Sequence, residues 1–74
     1  MIIINKSVCK RISLYRRNSK LTQEELAAKV GVRFDHLSEI EAGSRIPRIS
    51  ELAQLAAGLN IPIDELLKNK DGSS

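Results

Sequence analysis

The stretch RFDHLSE, residues 33–39, carries Arg33, Phe34, Asp35, His36 and Glu39 on positions that a packed core would not choose. An arginine fork can make two parallel hydrogen bonds to one partner. A carboxylate accepts hydrogen bonds, and an aromatic ring offers a flat apolar face. No base–nucleophile pair is visible among them. Ser7, Ser13 and Ser38 have no histidine at a spacing that would activate a nucleophile. One histidine and one cysteine cannot assemble a metal cluster, and one cysteine cannot close an internal disulfide. Cys9 adjoins Val8 on a helix that must bury one face, so it reads as a small apolar filler.

Such side chains need a helix to hold them and neighbours to hold the helix. A helix from about Arg33 to Ala42 puts Leu37 and Ile40, three apart, against the core and ends at Gly43. The helix before it has clear punctuation. Thr22 and Glu25 form a T-x-x-E capping box, Leu21 and Leu26 flank it as a hydrophobic staple, and Gly31 after Val30 can take a left-handed turn. Upstream, Val8, Ile12 and Tyr15 lie on one face of a helix from about Ser7 to Ser19. Downstream, Arg45–Pro47 form a loop. A fourth helix covers Ile49 to Leu59 with Ile49, Leu52, Leu55, Ala56 and Leu59 facing inward. Asn60 ends that helix, and Pro62 opens a short fifth one from Ile63 to Leu67. The segment MIIIN is either a short strand or an apolar cover for the first helix, and KNKDGSS is a polar tail.

These elements make one domain over residues 1–74, with residues 1–5 as an arm or short strand and 68–74 as the tail. At this length a single core leaves little area to spare, so stability should be modest and a second copy would help it. MIII is interrupted too soon for a signal peptide or a membrane span, and the lone cysteine suits a reduced, cytoplasmic protein. The net charge of +3 hides an asymmetry. Residues 1–20 hold six bases and no acid, whereas residues 21–44 sum to −3. A basic stretch on so small a domain suits a polyanion, although a solvated basic helix carries the same charges.

Two short helices joined by a tight glycine turn make a helix-turn-helix unit. Here the chain resembles the phage-repressor type of that unit, the xenobiotic-response-element (XRE) or Cro-like family. RR at 16–17, LTQEELAAKVGV at 21–32, LSEIEAG at 37–43, Pro47 and IPIDELL at 61–67 carry the resemblance, which runs from about Ile12 to Leu67. It implies an all-α, five-helix, lambda-repressor-like domain that binds double-stranded DNA. Gln23, at the first turn of the second helix, is then a phosphate contact, supported by that helix's open N–H groups. If the third helix enters the major groove N-terminus first, Arg33, Phe34, Asp35 and Glu39 reach base edges. Arg17, Lys20, Arg45 and Arg48 are the free bases for the backbone. Arg16 and Glu41 form a partly buried ion pair that orients the helices. His36 is either a phosphate contact or a solvated histidine. Phe34 is either a base contact or a lid over the core.

Position 33 departs from the family pattern, which places a serine or threonine cap there, so Asp35 near the helix start is expected to take over that role. Two acids on a surface meant for DNA can instead pair with Arg33 or reject wrong sequences.

The function implied is a sequence-specific transcriptional regulator acting as a homodimeric repressor on a near-palindromic operator, with no enzymatic step and no cofactor or metal. The alternatives are the antitoxin of a toxin–antitoxin pair, with a toxin or other protein as partner, and a restriction–modification controller. A membrane is not among the expected partners, and DNA-bound molecules would sit on the bacterial nucleoid. For the dimer, Leu59, Ile61, Ile63, Leu66 and Leu67 are expected to supply more apolar surface than one domain can bury. MIII, pairing as an edge strand with its copy, is the competitor.

Overall fold

The computed structural model describes residues 6–67. Five helices follow one another, α1 (Lys6–Asn18), α2 (Gln23–Val30), α3 (Phe34–Ala42), α4 (Ile49–Leu59) and α5 (Ile63–Leu67), with no strand among the described residues. The MIIIN question and the polar tail lie outside the described residues. No helix among them is long and apolar enough to cross a membrane.

Local chemistry sets the breaks. Lys20 N–H donates to Arg17 O at 2.9 Å and Leu21 N–H to Arg16 O at 3.2 Å, closing α1 with the two reversed bonds of a Schellman end. That geometry puts Lys20, a residue with a Cβ, at φ +60. Thr22 then starts α2: its hydroxyl accepts from Glu25 N–H at 3.0 Å, and Glu25 returns a carboxylate oxygen to Thr22 N–H at 2.8 Å. Gly31 ends α2 at φ +76 and Gly43 ends α3 at φ +82. The cap expected of Asp35 does not form. Arg33 is the N-cap of α3 without a side-chain cap bond, and Asp35 turns to the Arg33 guanidinium instead, because an ion pair two residues back competes for its carboxylate.

Every helix contributes to one core of Val8, Cys9, Ile12, Leu26, Ala27, Leu37, Ile40, Leu52, Leu55, Ala56, Leu59 and Leu66. α2 lies on α3 and α4, α1 lies on α3, and α5 folds back between α4 and α1. At the α2–α4 crossing, Gly58 is buried with no room for a side chain, since a Cβ there would collide with Val30 Cγ1. Tyr15 pins α5 to α1 by donating its hydroxyl to Glu65 Oε1 at 2.7 Å.

Two expectations about apolar residues fail. Ile49 is 45% exposed, because the first turn of α4 extends past the edge of the core. Leu59 and Leu66 are 5% and 0% exposed and belong to the core, so they are not spare surface for a dimer. α5 is short enough to bury its one apolar stripe within the domain. Ile61, Ile63 and Leu67 are only partly buried against it.

Candidate nucleic-acid interface

The site is framed by an ion pair inside the fold. Arg16 Nε reaches Glu41 Oε2 at 2.8 Å, Nη2 reaches Oε1 at 3.0 Å, and Nη1 donates to Leu21 O at 2.7 Å. The two side chains are 13% and 4% exposed, so the charges are withdrawn from water and compensate each other. The pair bolts α1 to α3 and also holds the strand-like entry to α2. A third donor joins it. Gln23 Nε2 bonds Glu41 Oε1 at 3.0 Å, which ties the first turn of α2 to the same carboxylate. A primary amide has two N–H donors, so one remains for a ligand. No local pattern in the sequence signals a bond between residues 18 positions apart.

α3 presents the face whose chemistry stood out in the sequence. With Leu37 and Ile40 fully buried, Arg33, Phe34, Asp35 and Glu39 are exposed. Phe34, at 48% exposure, is not a lid over the core. Arg33 Nη2 lies 3.3 Å from Asp35 Oδ2, with both side chains mostly in water, where such a pair holds loosely. Glu39 Oε1 accepts from Arg45 Nε at 2.9 Å. Arg45 is therefore not one of the free bases, because the left-handed Gly43 turns the chain back and brings residue 45 beside Glu39. Arg33, Asp35, His36, Glu39 and Arg45 line one shallow concavity on this face.

His36 is neither freely solvated nor aimed at open water. Its side chain is 25% exposed and Nε2 lies 2.9 Å from Glu51 Oε2, short but out of line for a hydrogen bond. Glu51 also accepts the Arg48 N–H through Oε1 at 2.8 Å, completing the first turn of α4. The guanidinium of Arg48 has no acceptor atom and takes no part in that cap; Arg48 is exposed. Arg17 and Lys20 are exposed at the end of α1, next in sequence to the start of α2. Cys9, at 1% exposure, donates to Arg45 O across 3.8 Å, and burial pushes its thiol above the ordinary range. The thiol is a packing group that also anchors the loop after α3.

The family model described as helix-turn-helix matches residues 12–66. The HTH-type transcriptional regulator YazB of Bacillus subtilis is 39% identical over 57 residues, covering 77% of this chain and 83% of YazB. The solved N-terminal DNA-binding domain of SinR from Bacillus subtilis superposes with a TM-score of 0.84 at 32% identity, covering 92% of this chain and all of that one. SinR, the master regulator for biofilm formation, in complex with DNA superposes with a TM-score of 0.79 at 34% identity, covering 82% and 98%. The chain spans only 58% and 40% of two further curated relatives, vegetative-specific protein H7 of Dictyostelium discoideum and multiprotein-bridging factor 1 of Candida albicans.

Proposed function

Because the chain belongs to the helix-turn-helix family, whose model covers most of it, we propose that it is a sequence-specific regulator of transcription that binds double-stranded DNA through α3. The observation that carries this reading is the outward face of α3. Arg33, Phe34, Asp35 and Glu39 are all exposed there, while Leu37 and Ile40 hold the helix from behind. Gln23, Arg17, Lys20 and Arg48 flank that face as phosphate contacts, with Arg45 joining them through whichever guanidinium nitrogens Glu39 leaves open. The Arg16–Glu41 pair fixes the tilt of α3 and the aim of the Gln23 amide and touches no base.

The role is binding without catalysis. Cys9 is sealed in the core and His36 lies against a carboxylate, not a nucleophile. One α3 reads only a few base pairs, so a homodimer on two half-sites about 34 Å apart supplies the missing information. With Leu59 and Leu66 inside the fold, the candidate contact surface reduces to Ile61, Ile63 and Leu67, with residues 1–4 as the alternative. The proposed site of action is the cytoplasm.

Selection of bound duplexes from a random library tests the reading. It expects one enriched motif and an affinity that falls linearly with salt on a log–log plot. A chain that enriches nothing and ignores salt is no DNA-binding regulator.

A further inference from the structure

Glu51 serves two neighbours at once. Oε1 holds the backbone N–H of Arg48 at 2.8 Å, and Oε2 lies 2.9 Å from His36 Nε2 on α3. Both side chains are mostly out of water, at 25% and 20% exposure. The main packing partners of α3 are α1 and α2, so the start of α4 is not held to it by a broad helix–helix contact. The other charged groups around His36 are already matched, Arg33 with Asp35 and Glu39 with Arg45. Glu51 is the acid that its ring nitrogen faces.

We propose that His36 is a positioning residue, resting on the DNA reading above. By bracing Glu51 it fixes the Arg48 backbone relative to α3, so that the base-reading side chains and the Arg48 guanidinium meet one duplex in register. His36 itself touches no DNA. The Nε2 edge of the ring stands 2.9 Å from Oε2 without an aligned hydrogen bond, and the same carboxylate carries the constraint of that close contact on to Arg48 through Oε1.

The test measures affinity for a mixed-sequence duplex of about 30 base pairs, long enough for two half-sites, over a range of salt. The proteins are the wild-type chain, His36→Leu, His36→Gln, Glu51→Gln, Arg48→Ala and the double variant Glu51→Gln/Arg48→Ala. Glutamine at position 51 still accepts from the Arg48 N–H, as in any capping box, but no longer presents a charge to His36. His36→Leu and Glu51→Gln should each lower the salt slope by about one. At roughly 0.1 M salt that is about an eightfold loss, the factor a slope change of about 0.9 gives relative to 1 M. His36→Gln, whose amide can stand near the place of Nε2, should restore most of it. In the Arg48→Ala background, Glu51→Gln should add nothing.

A slope lost in His36→Leu but kept in Glu51→Gln would make His36 a direct phosphate contact and overturn the proposal. So would slopes kept in both. Weaker binding that follows a lower melting temperature at unchanged slope would reduce the brace to a structural contact. A wild-type chain that binds no duplex would overturn the DNA reading and this proposal with it, whereas binding with unmoved slopes overturns the proposal alone.

Discussion

Gln23 and Arg16 share one acceptor: Nε2 of the first and Nη2 of the second both reach Glu41 Oε1, each at 3.0 Å. The carboxylate that neutralises a mostly buried guanidinium therefore also aims the amide proposed to meet a phosphate. Removing one partner leaves a charge without compensation. Arg16→Ala should cost about 3–5 kcal/mol in urea unfolding, a large share of the roughly 5 kcal/mol that so small a domain holds. Arg16→Met with Glu41→Leu should recover most of that stability, because both charges go. Gln23→Ala should cost less stability than Arg16→Ala, because Arg16 still compensates Glu41, and should weaken every duplex alike. A stability loss under about 1 kcal/mol for Arg16→Ala would mean that water already screens the pair.

Arg33 is the base-reading candidate at the start of α3. Arg33→Ala should flatten the preference at one base pair of each half-site, costing roughly 1–3 kcal/mol there. Asp35→Asn should free the guanidinium and raise affinity for all duplexes. A preference matrix left unchanged by Arg33→Ala would move Arg33 from the bases to the backbone.

Lys20 holds the left-handed end of α1 at φ +60. A Cβ in that conformation costs about 1–2 kcal/mol relative to glycine, partly offset by the greater freedom of glycine in the unfolded chain. Lys20→Gly should therefore raise the unfolding free energy by up to about 1 kcal/mol while weakening DNA binding through the lost charge. A variant less stable than wild type would show that the lysine side chain stabilises this turn by more than the strain it carries.

Alkaline pH should loosen the fold. The hydrogen bond to Glu65, with burial second, holds the Tyr15 hydroxyl above its ordinary range, and burial does the same to the Cys9 thiol. Both are acids whose neutral form the fold prefers. Their stabilisation is complete below the unfolded values, about 8.5 for a thiol and about 10 for a phenol, and is lost as pH rises through the higher folded values. Melting temperature should hold to about pH 8.5 and then fall. Tyr15→Phe should remove the part of the fall above about pH 10 and Cys9→Ala the earlier part. Identical curves for all three proteins above pH 9 would contradict this assignment.

The assembly is tested by Ile63→Glu and by deletion of residues 1–4, each followed by sedimentation and operator footprinting. Leu66→Glu is unsuitable, since a charge at a fully buried position would unfold the chain. Monomers from Ile63→Glu alone would support the α5 surface; monomers from the deletion alone would move the contact to the N-terminus. A single half-site footprint for wild type would rule out the dimer.

Features written within a few residues of each other were readable from the chain. The Thr22–Glu25 box, the glycines at 31 and 43 and the limits of α4 follow from backbone chemistry that the local sequence states directly. Among the ties across the fold, the Arg16–Glu41 pair was readable through the family resemblance, and the others were not. Gln23 to Glu41, His36 to Glu51 and Tyr15 to Glu65 join different helices, and their existence depends on how those helices cross. Gly58 shows the same limit, because a glycine inside a helix looks like a weakness until Val30 is seen lying against it. Leu59 and Leu66 misled for a related reason. Counting apolar residues says how much must be covered, but which of them the domain covers itself depends on how α5 folds back.

The pairing of Arg33 with Asp35 and of Arg45 with Glu39 leaves the proposed reading face with as many carboxylates as guanidinium groups. Such a face exerts little pull of its own on a polyanion. In the proposed reading, capture from solution then falls to Arg17, Lys20 and Arg48, which are exposed on its flanks, and discrimination to α3. Approach and choice reside in separate sets of atoms. On that reading, charge-conserving exchanges at 33, 34, 35 and 39 would change the preferred operator while leaving capture to the flanking bases, whereas the buried positions of α3 hold the fold.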